Sequence, residues 1–356
     1  MNITPIPTQG YEQVVRAEDA ESGLRAIIAV HDTRLGPALG GLRMWPYRSW
    51  DEATFDVLRL SRGMTYKSAV ADTGLGGGKS VILGNPKTGK SDALFHAMGR
   101  FIDSLGGTYI TAEDVGTSVE DMVKVRRETK WVTGLPRSMG SSGDPSPWTA
   151  LGVFVGQKAC LEEVFGSADF KGKTVAIQGM GHVGVFLAEH LHAAGAKLVV
   201  ADVFPERAKD AATRFRAQVV EPDAIYDVEC DVFAPCALGA VIHDATLDRL
   251  KTKIVAGAAN NVLLREEHGD RLREKGVLYA PDYVINAGGI INVSIEVEPG
   301  GYDESRSRRK VENIYDALKK VFRISRERSV STNRASNLLA EERLSRGRRA
   351  PQPAER

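Results

Sequence analysis

KTVAIQGMGHVGVFLAEHLHAAGAKLVVAD, residues 173–202, is the stretch on which the fold turns. A short apolar run, KTVAIQ, leads into Gly179-Met180-Gly181-His182-Val183-Gly184. Val183, Leu187 and Leu191 then recur at helical spacing as far as Gly195, and a second apolar run, KLVVAD, closes on Asp202. Strand, glycine turn, helix, strand and acid arrive in the order that a dinucleotide requires. Gly179 permits the tight turn, Gly181 lets a pyrophosphate approach the backbone, and Gly184 lets helix and strand pack closely. The helix start at His182 and Val183 offers N–H groups and a partial positive charge to the phosphates. Asp202 can accept hydrogen bonds from ribose hydroxyls, while its charge repels a 2′-phosphate. That favours NAD over NADP, with Arg207 close enough in sequence to keep NADP as the alternative. The plainer reading, a glycine-rich βα turn followed by a surface acid, leaves this ordered context unexplained.

Working outward, DVFAPC, KIVAGA and VLYAPDYVI read as further strands among helical stretches, which argues for a parallel sheet covered by helices. Upstream lies a helix at about 149–165, and before it PRSMGSSGDPSP at 136–147, rich in Ser, Gly and Pro, reads as a hinge. The chain before the hinge alternates differently. GLRAIIAVHDT reads as a strand, GPALGG at 36–41 as a turn, and DEATFDVLRLSRGMTYKSAVA as a helix. GLGGGK reads as a glycine loop opening the strand SVILGNP; after the helix DALFHAMGRFIDSLG, TYITAED is a strand with acids at its end. The expected fold class is α/β, with two domains separated by a cleft: an N-terminal mixed-sheet domain and a dinucleotide-binding Rossmann domain.

Composition narrows the function. At 356 residues the chain is too long for one ordinary core. Lys plus Arg total 47 against 46 for Asp plus Glu, so charge gives no reason to expect nucleic acid or an anionic membrane as partner. The start, MNITPIPTQGYEQ, lacks the pattern of a signal peptide, and no apolar run has the length of a membrane span. Cys160, Cys230 and Cys236 fit neither a disulfide framework nor a zinc spacing. The seven histidines form no ligand cluster; His190 and His192, two apart on a helix, point to different faces. The expectation is a cytoplasmic protein without a metal.

Before the hinge, Lys67 follows Gly-Met-Thr-Tyr, Lys79 follows Gly76-Gly77-Gly78, and Asp114 ends TYITAED. Glycines beside a lysine leave room for a substrate, and a lysine in a closed apolar cleft can act as a base. The bland alternative is that both lysines are solvated surface residues. A phosphate-binding P-loop is excluded by spacing, because Thr73 stands where its first glycine belongs, and by order, because a strand follows instead of a helix.

GPALGGLRMWP (36–46), GMTYKSAVADTGLGGGKSVI (63–82), TAEDVGT (111–117), GSSGDPSPWTALGV (140–153), DVFAPCALGA (231–240), GAANN (257–261) and PDYVINAGGIINV (281–293) resemble the amino-acid dehydrogenase superfamily, which includes glutamate, leucine, valine and phenylalanine dehydrogenases. The resemblance covers about residues 24–345, and as a whole the chain looks most like the actinobacterial phenylalanine dehydrogenases. It implies a substrate-binding, catalytic and oligomerisation domain over 1–138, to which C-terminal helices in 304–345 return. It implies an NAD-binding domain over 139–303 and leaves 346–356 as a flexible basic tail. It implies that Lys67 binds the substrate carboxylate with backbone around Gly40 and Gly41, that Lys79 activates water, and that Asp114 shuttles protons. Thr149, Ala237, Asn260 and Asn286 fall to the cofactor, and Asn261 and Met64 to the substrate. NAD is the implied cofactor, an amino acid or 2-oxo acid with ammonia the small-molecule partners, and a homo-oligomer the assembly.

A dicarboxylate substrate needs an additional basic residue, and the matching position here is Leu39. By analogy an apolar pocket is walled by Leu39, Gly40, Met64, Ala112, Ile290 and Val293. Phenylalanine is the expected substrate, with leucine or another branched-chain amino acid as the alternative; Ala112 resembles the leucine enzymes. A redox-sensing regulator that binds NAD(H) without chemistry is the rival from another class. It needs no paired lysines, and no helix-turn-helix is evident.

Overall fold

In the computed structural model, which describes residues 1–347, one strand already divides the first sheet between two cores. Ile27 and Ala29 join Ala53, Val57 and Val81 on one face, while Ala26, Ile28 and Val30 join Phe95, Met98 and Phe101 on the other. That split is the period-2 alternation of a strand covered on both sides. The sheet runs β1 (Asn2–Pro5), β2 (Gln13–Asp19), β3 (Leu24–Asp32), β5 (Gly76–Leu83), β4 (Ala38–Trp45), β6 (Tyr109–Glu113). The first three strands and β5 are antiparallel, and β4 is parallel to both β5 and β6. The mixed sheet is the one expected, with β1 and β2 as strands the sequence reading did not anticipate. Helix α1 (Trp50–Ala71) joins β4 to β5, with the Ser49 side chain accepting from Glu52 N–H at its start. Helices α2 (Asp92–Asp103) and α3 (Val119–Arg126) follow β5 and β6.

Two glycine-rich stretches are corrected by the structure. GPALGG was expected to be a turn and GLGGGK a loop, but β4 begins at Ala38 and β5 at Gly76. A Cβ at Gly76 would lie 2.1 Å from Asp32 O, one at Gly77 2.1 Å from Thr65 N, and one at Gly78 2.7 Å from the Tyr109 ring. The glycines of β5 therefore admit neighbouring backbone and a buried ring, as glycine inside a strand commonly does. They do not leave room for a substrate.

The second sheet is parallel throughout, in the order β12 (Leu278–Tyr279), β11 (Lys251–Val255), β10 (Glu229–Pro235), β7 (Thr174–Gln178), β8 (Lys197–Ala201), β9 (Gln218–Val219). Chain order reverses direction between β7 and β10, which is the switch point of a doubly wound sheet. Its helices are α4 (Ser146–Phe165), α5 (His182–Ala193), α6 (Pro205–Phe215), α7 (Asp244–Leu247), α8 (Glu267–Glu274), α9 (Asp282–Ile285) and α10 (Gly288–Ser294). They are followed by α11 (Glu304–Glu312), α12 (Ile314–Arg328) and α13 (Thr332–Arg346). VLYAPDYVI is a strand only at Leu278–Tyr279; after Pro281 the chain turns into α9.

The chain forms two units. The first comprises Met1–Asp144, Val293–Asp303 and the described residues from Ala340; the second comprises Pro145–Asn292 and Glu304–Leu339. The expectation that 304–345 returns as a whole to the first domain is thus corrected. Helix α12 buries Ile314, Leu318, Val321 and Phe322. Its Ile314 and Leu318 methyls occupy the space that side chains at Gly152 and Gly156 of α4 would need. That close helix packing holds α12 in the second unit. Only the end of α13 joins the first, where the Arg343 guanidinium donates to the carbonyls of Ala69 and Val70. Residues 293–303, expected in the NAD-binding domain, also belong to the first unit. Of the tail expected over 346–356, residues 348–356 lie outside the described residues. Among the described residues no helix is long and apolar enough to cross a membrane, and no group of three or more His, Cys, Asp or Glu is placed to hold a metal.

Candidate active site

Parallel register decides which side chains of the first unit meet. Leu39 stands beside Gly77 and Ile110, Gly41 beside Ala112, and Arg43 beside Val81. Alternate residues of a strand share a face, so Gly41 and Arg43 of β4, Lys79 of β5 and Asp114 just beyond β6 all lie on the α1 side. There Lys79, only 4% exposed, places Nζ 3.0 Å from Asp114 Oδ2. Arg43 Nε donates to the same oxygen at 2.9 Å, and its Nη1 reaches Asp56 Oδ2 of α1 at 3.0 Å. Tyr47 Oη donates to that Asp56 oxygen at 2.7 Å. A Cβ at Gly41 would fall 2.7 Å from Asp114 Cβ and 3.3 Å from Lys79 Nζ, so the missing side chain is what lets carboxylate and ammonium meet.

TAEDVGT builds the turn that aims Asp114. Thr117 Oγ1 accepts from Asp114 N–H at 3.0 Å and donates to Leu42 O at 2.8 Å. Gly116, at φ +84°, passes so close to Met44 that a Cβ would sit 2.0 Å from its carbonyl oxygen. Burial alone would raise the Asp114 carboxyl, but Lys79 and Arg43 outweigh it and hold the group below the usual carboxylate range. The expected apolar cleft around Lys79 is therefore corrected: the ammonium sits in a paired, charged cluster.

Gly40 serves the scaffold. Its carbonyl accepts from Tyr109 Oη at 2.5 Å, and a Cβ there would lie 1.7 Å from Gly78 O. Met64 and Lys67 are half-buried, three residues apart on α1, flanking the Thr65 backbone that covers Gly77. Of the expected pocket walls, Leu39 is buried at 2% exposure, Ala112 is half-buried beside Gly41, and Val293 belongs to the same unit. Ile290 and Asn261 belong to the second unit.

In the second unit the glycines behave as their spacing implies. Gly179 has φ +99°, and a Cβ there would strike Ala237 at 2.6 Å; one at Gly184 would lie 2.1 Å from Gly179 O. A Cβ at Gly181 would meet nothing within 4 Å, so space lies open where a phosphate would approach. The first bond of α5 runs from Val185 N–H to Gly181 O, which leaves the N–H groups of His182, Val183 and Gly184 for a ligand. Asp202 Oδ2 accepts from Met180 N–H at 2.6 Å and Oδ1 from Phe204 N–H at 2.8 Å, tying the end of β8 to the glycine turn. The Asn286 side chain donates to Ala258 O at 3.0 Å and Asn260 Oδ1 at 2.8 Å, which orients the Asn260 amide. Asn261 adopts φ +51°, and its carbonyl accepts from Ala240 N–H, clasping the loops after β10 and β11. Thr149 Oγ1 donates to Pro145 O at 3.1 Å beside the start of α10, where a Cβ on Gly289 would lie 2.8 Å from that hydroxyl. These residues fit a dinucleotide at the switch point of the sheet.

Sequence reasoning missed Arg43, Asp56, Tyr47 and Thr117. Arg43 carried a usable signal, because it stands two residues after Gly41 and a strand would put both on one face.

The family described as Glu/Leu/Phe/Val dehydrogenase, dimerisation domain, matches residues 11–131, and the Glutamate/Leucine/Phenylalanine/Valine dehydrogenase family matches 140–203 and 205–350. Leucine dehydrogenase of Thermoactinomyces intermedius is 57% identical over 94% of this chain and 91% of its own. Phenylalanine dehydrogenase of Bacillus thermotolerans is 48% identical over 95% and 90%. The crystal structure of L-tryptophan dehydrogenase from Nostoc punctiforme superposes with a TM-score of 0.84 at 46% identity, covering 95% of this chain and 96% of that one. With both domains matched and the two sheets in place, the chain belongs to the Glu/Leu/Phe/Val dehydrogenase family and is an L-amino-acid dehydrogenase that uses NAD.

Proposed function

We propose that this enzyme interconverts L-leucine and related branched-chain L-amino acids with their 2-oxo acids and ammonia. The observation that carries the chemistry is the Lys79–Asp114 ion pair at 3.0 Å, on the sheet face covered by the helix bearing Lys67. The expectation of phenylalanine rested on whole-chain likeness. That likeness now supports leucine, at 57% identity to a leucine enzyme against 48% to a phenylalanine enzyme. Ala112 supports the same reading. The dimerisation description of the N-terminal match supports a homo-oligomer.

Lys67 binds the substrate carboxylate, with backbone at Gly40 and Gly41 beside it. Asp114, ionised, takes a proton from the substrate ammonium and leaves a neutral amine. Bound NAD supplies the two-electron acceptor for the hydrogen on the α-carbon. Asp114 then passes that proton to solvent. Lys79 donates a hydrogen bond to the attacking water and then to the oxygen on which charge develops, while the ionised Asp114 receives the proton that the water loses. Asp114 returns that proton to nitrogen and takes up the remaining hydroxyl proton as the carbon–nitrogen bond breaks, leaving the 2-oxo acid and ammonia. Gly179, Gly181, His182, Val183, Gly184, Asp202, Thr149, Ala237, Asn260 and Asn286 hold the dinucleotide.

The test is NADH formation with L-leucine, L-valine, L-phenylalanine, L-glutamate and L-lactate. We expect kcat/KM highest for leucine, by roughly tenfold or more over phenylalanine. A phenylalanine preference overturns the substrate, and absence of turnover with every amino acid overturns the site.

Asp202 provides a second test. Asp202→Asn keeps one oxygen for the backbone bonds but loses the charge that repels a 2′-phosphate. NADP use is expected to rise relative to NAD by about tenfold, the effect of roughly 1.4 kcal/mol. Arg207, whose guanidinium lies over the Phe204 ring at 4.5 Å, is near enough in sequence to receive that phosphate. An unmoved NAD:NADP ratio removes Asp202 from ribose recognition.

A further inference from the structure

Asp114 has two carboxylate oxygens, and the structure treats them differently. Lys79 Nζ and Arg43 Nε both approach Oδ2, at 3.0 and 2.9 Å. Arg43 is itself fixed on its far side by Asp56 Oδ2 at 3.0 Å, and Asp56 is held by Tyr47 Oη at 2.7 Å and by Arg59 at 3.1 Å. The Asp114 side chain remains 24% exposed and Arg43 21% exposed, so this chain of contacts leads from a half-buried helix position to the edge of open space. Two cations on one oxygen set the torsion of the carboxyl group and leave Oδ1 as the oxygen that can accept a further proton donor.

We propose that Arg43, braced by Asp56 and Tyr47, is a positioning residue for the reaction: it commits Asp114 Oδ2 and thereby presents Oδ1, as an anion, to the substrate. The inference rests on Asp114 serving as the proton acceptor, and it assigns the deamination site a component beyond the two lysines and the aspartate. Arginine suits the role because its planar fork reaches two carboxylates in fixed directions at once. A lysine can supply the charge but serves both acceptors less well. The electrostatics agree, since Arg43 and Lys79 together hold Asp114 below the usual carboxylate range despite its burial. The charged and titratable groups around Asp114 are Lys79 from β5, Arg43 from β4 with Asp56 and Arg59 of α1 behind it, and Tyr109 from β6. Lys67 stands on the same helix as Asp56.

The sign of the effect follows. Removing a cation beside Asp114 raises its pKa, so a larger fraction is protonated at low pH and the acid limb of kcat moves to higher pH. Arg43→Gln is therefore expected to shift that limb upward by about one to two pH units. The kcat is expected to recover as pH rises, with the KM for L-leucine changed less than threefold. Arg43→Lys is expected to return the limb toward the wild-type position while recovering only part of kcat. Asp56→Asn, which removes an anion behind Arg43, is expected to leave the limb in place or move it slightly downward. Tyr47→Phe, the mildest of the set, tests the brace if Arg43→Gln does not fold, and is expected to lower kcat severalfold without an upward shift. A folded Arg43→Gln enzyme whose acid limb stays in place overturns the proposal, as does a Tyr47→Phe enzyme with wild-type kcat where Arg43→Gln cannot be prepared. Asp114→Asn, measured alongside, separates the two levels. Near-normal turnover there removes the acceptor role and this inference with it, whereas an inactive Asp114→Asn beside an unshifted Arg43→Gln removes only the inference.

Discussion

Replacing Lys79 by alanine is expected to lower kcat by roughly a thousandfold while NADH binding persists. The ammonium is almost fully buried and is aimed at Asp114 across the gap left by Gly41. A donor fixed in that way needs no reorganisation when charge develops on oxygen, and its loss removes transition-state stabilisation without removing substrate contacts. The variant also leaves Asp114 with Arg43 as its remaining cation. Breaking a buried pair costs about 3–5 kcal/mol, and the surviving Arg43 contact places the expected loss of stability toward the low end. The glycine turn and Asp202 belong to the other unit, so NADH titration by fluorescence should give a Kd within about threefold of wild type, well under 1 kcal/mol. Turnover within tenfold of wild type would exclude Lys79 from the chemistry.

What could be read from residues alone depended on the distance over which each contact forms. Gly179, Gly181, Gly184 and Asp202 lie within one strand–helix–strand unit, so their spacing carried the geometry, and the structure puts Asp202 within 2.6 Å of Met180 N–H as that unit demands. Lys79 and Asp114 were legible as chemistry by likeness to a family, but their pairing depends on parallel strands brought together across the sheet. Arg43 and Asp114 are 71 residues apart and meet only because β4 lies beside β6. No local pattern encodes that register. The triple glycine misled for the same reason: its neighbours Asp32, Thr65 and Tyr109 come from three other elements, and without them a glycine run looks like a loop.

The second large misreading, the placement of 304–339, is also one of packing. The amphipathic pattern of α12 announces a buried face but does not name the surface that receives it. Gly152 and Gly156 on α4 supply that surface, four residues apart on one side of the helix. Small residues opposite Ile314 and Leu318 are a signal visible only once the pair of helices is known.

Asp114→Asn is expected to reduce kcat by roughly a thousandfold or more across the whole pH range and to erase the acid limb that Asp114 gives the wild-type enzyme. Asparagine fills the same volume, and its carbonyl oxygen can still accept from Arg43 or Lys79, so the turn held by Thr117 is preserved. What disappears is the anion. Two cations that shared one carboxylate oxygen then face each other with a neutral group between them, and the base that the proposed mechanism assigns to the substrate nitrogen is gone. Stability responds with a definite sign. The folded carboxyl is held below its ordinary range, so its contribution is fully present above that range and is lost as pH falls through the folded value. Wild type should therefore have the higher Tm at neutral pH, and the gap to Asp114→Asn should close on acidification. A variant that matches wild type in kcat would show that protons leave the substrate by another route. A Tm difference that stays constant down to acidic pH would show that the Lys79–Asp114–Arg43 cluster is not held together by charge.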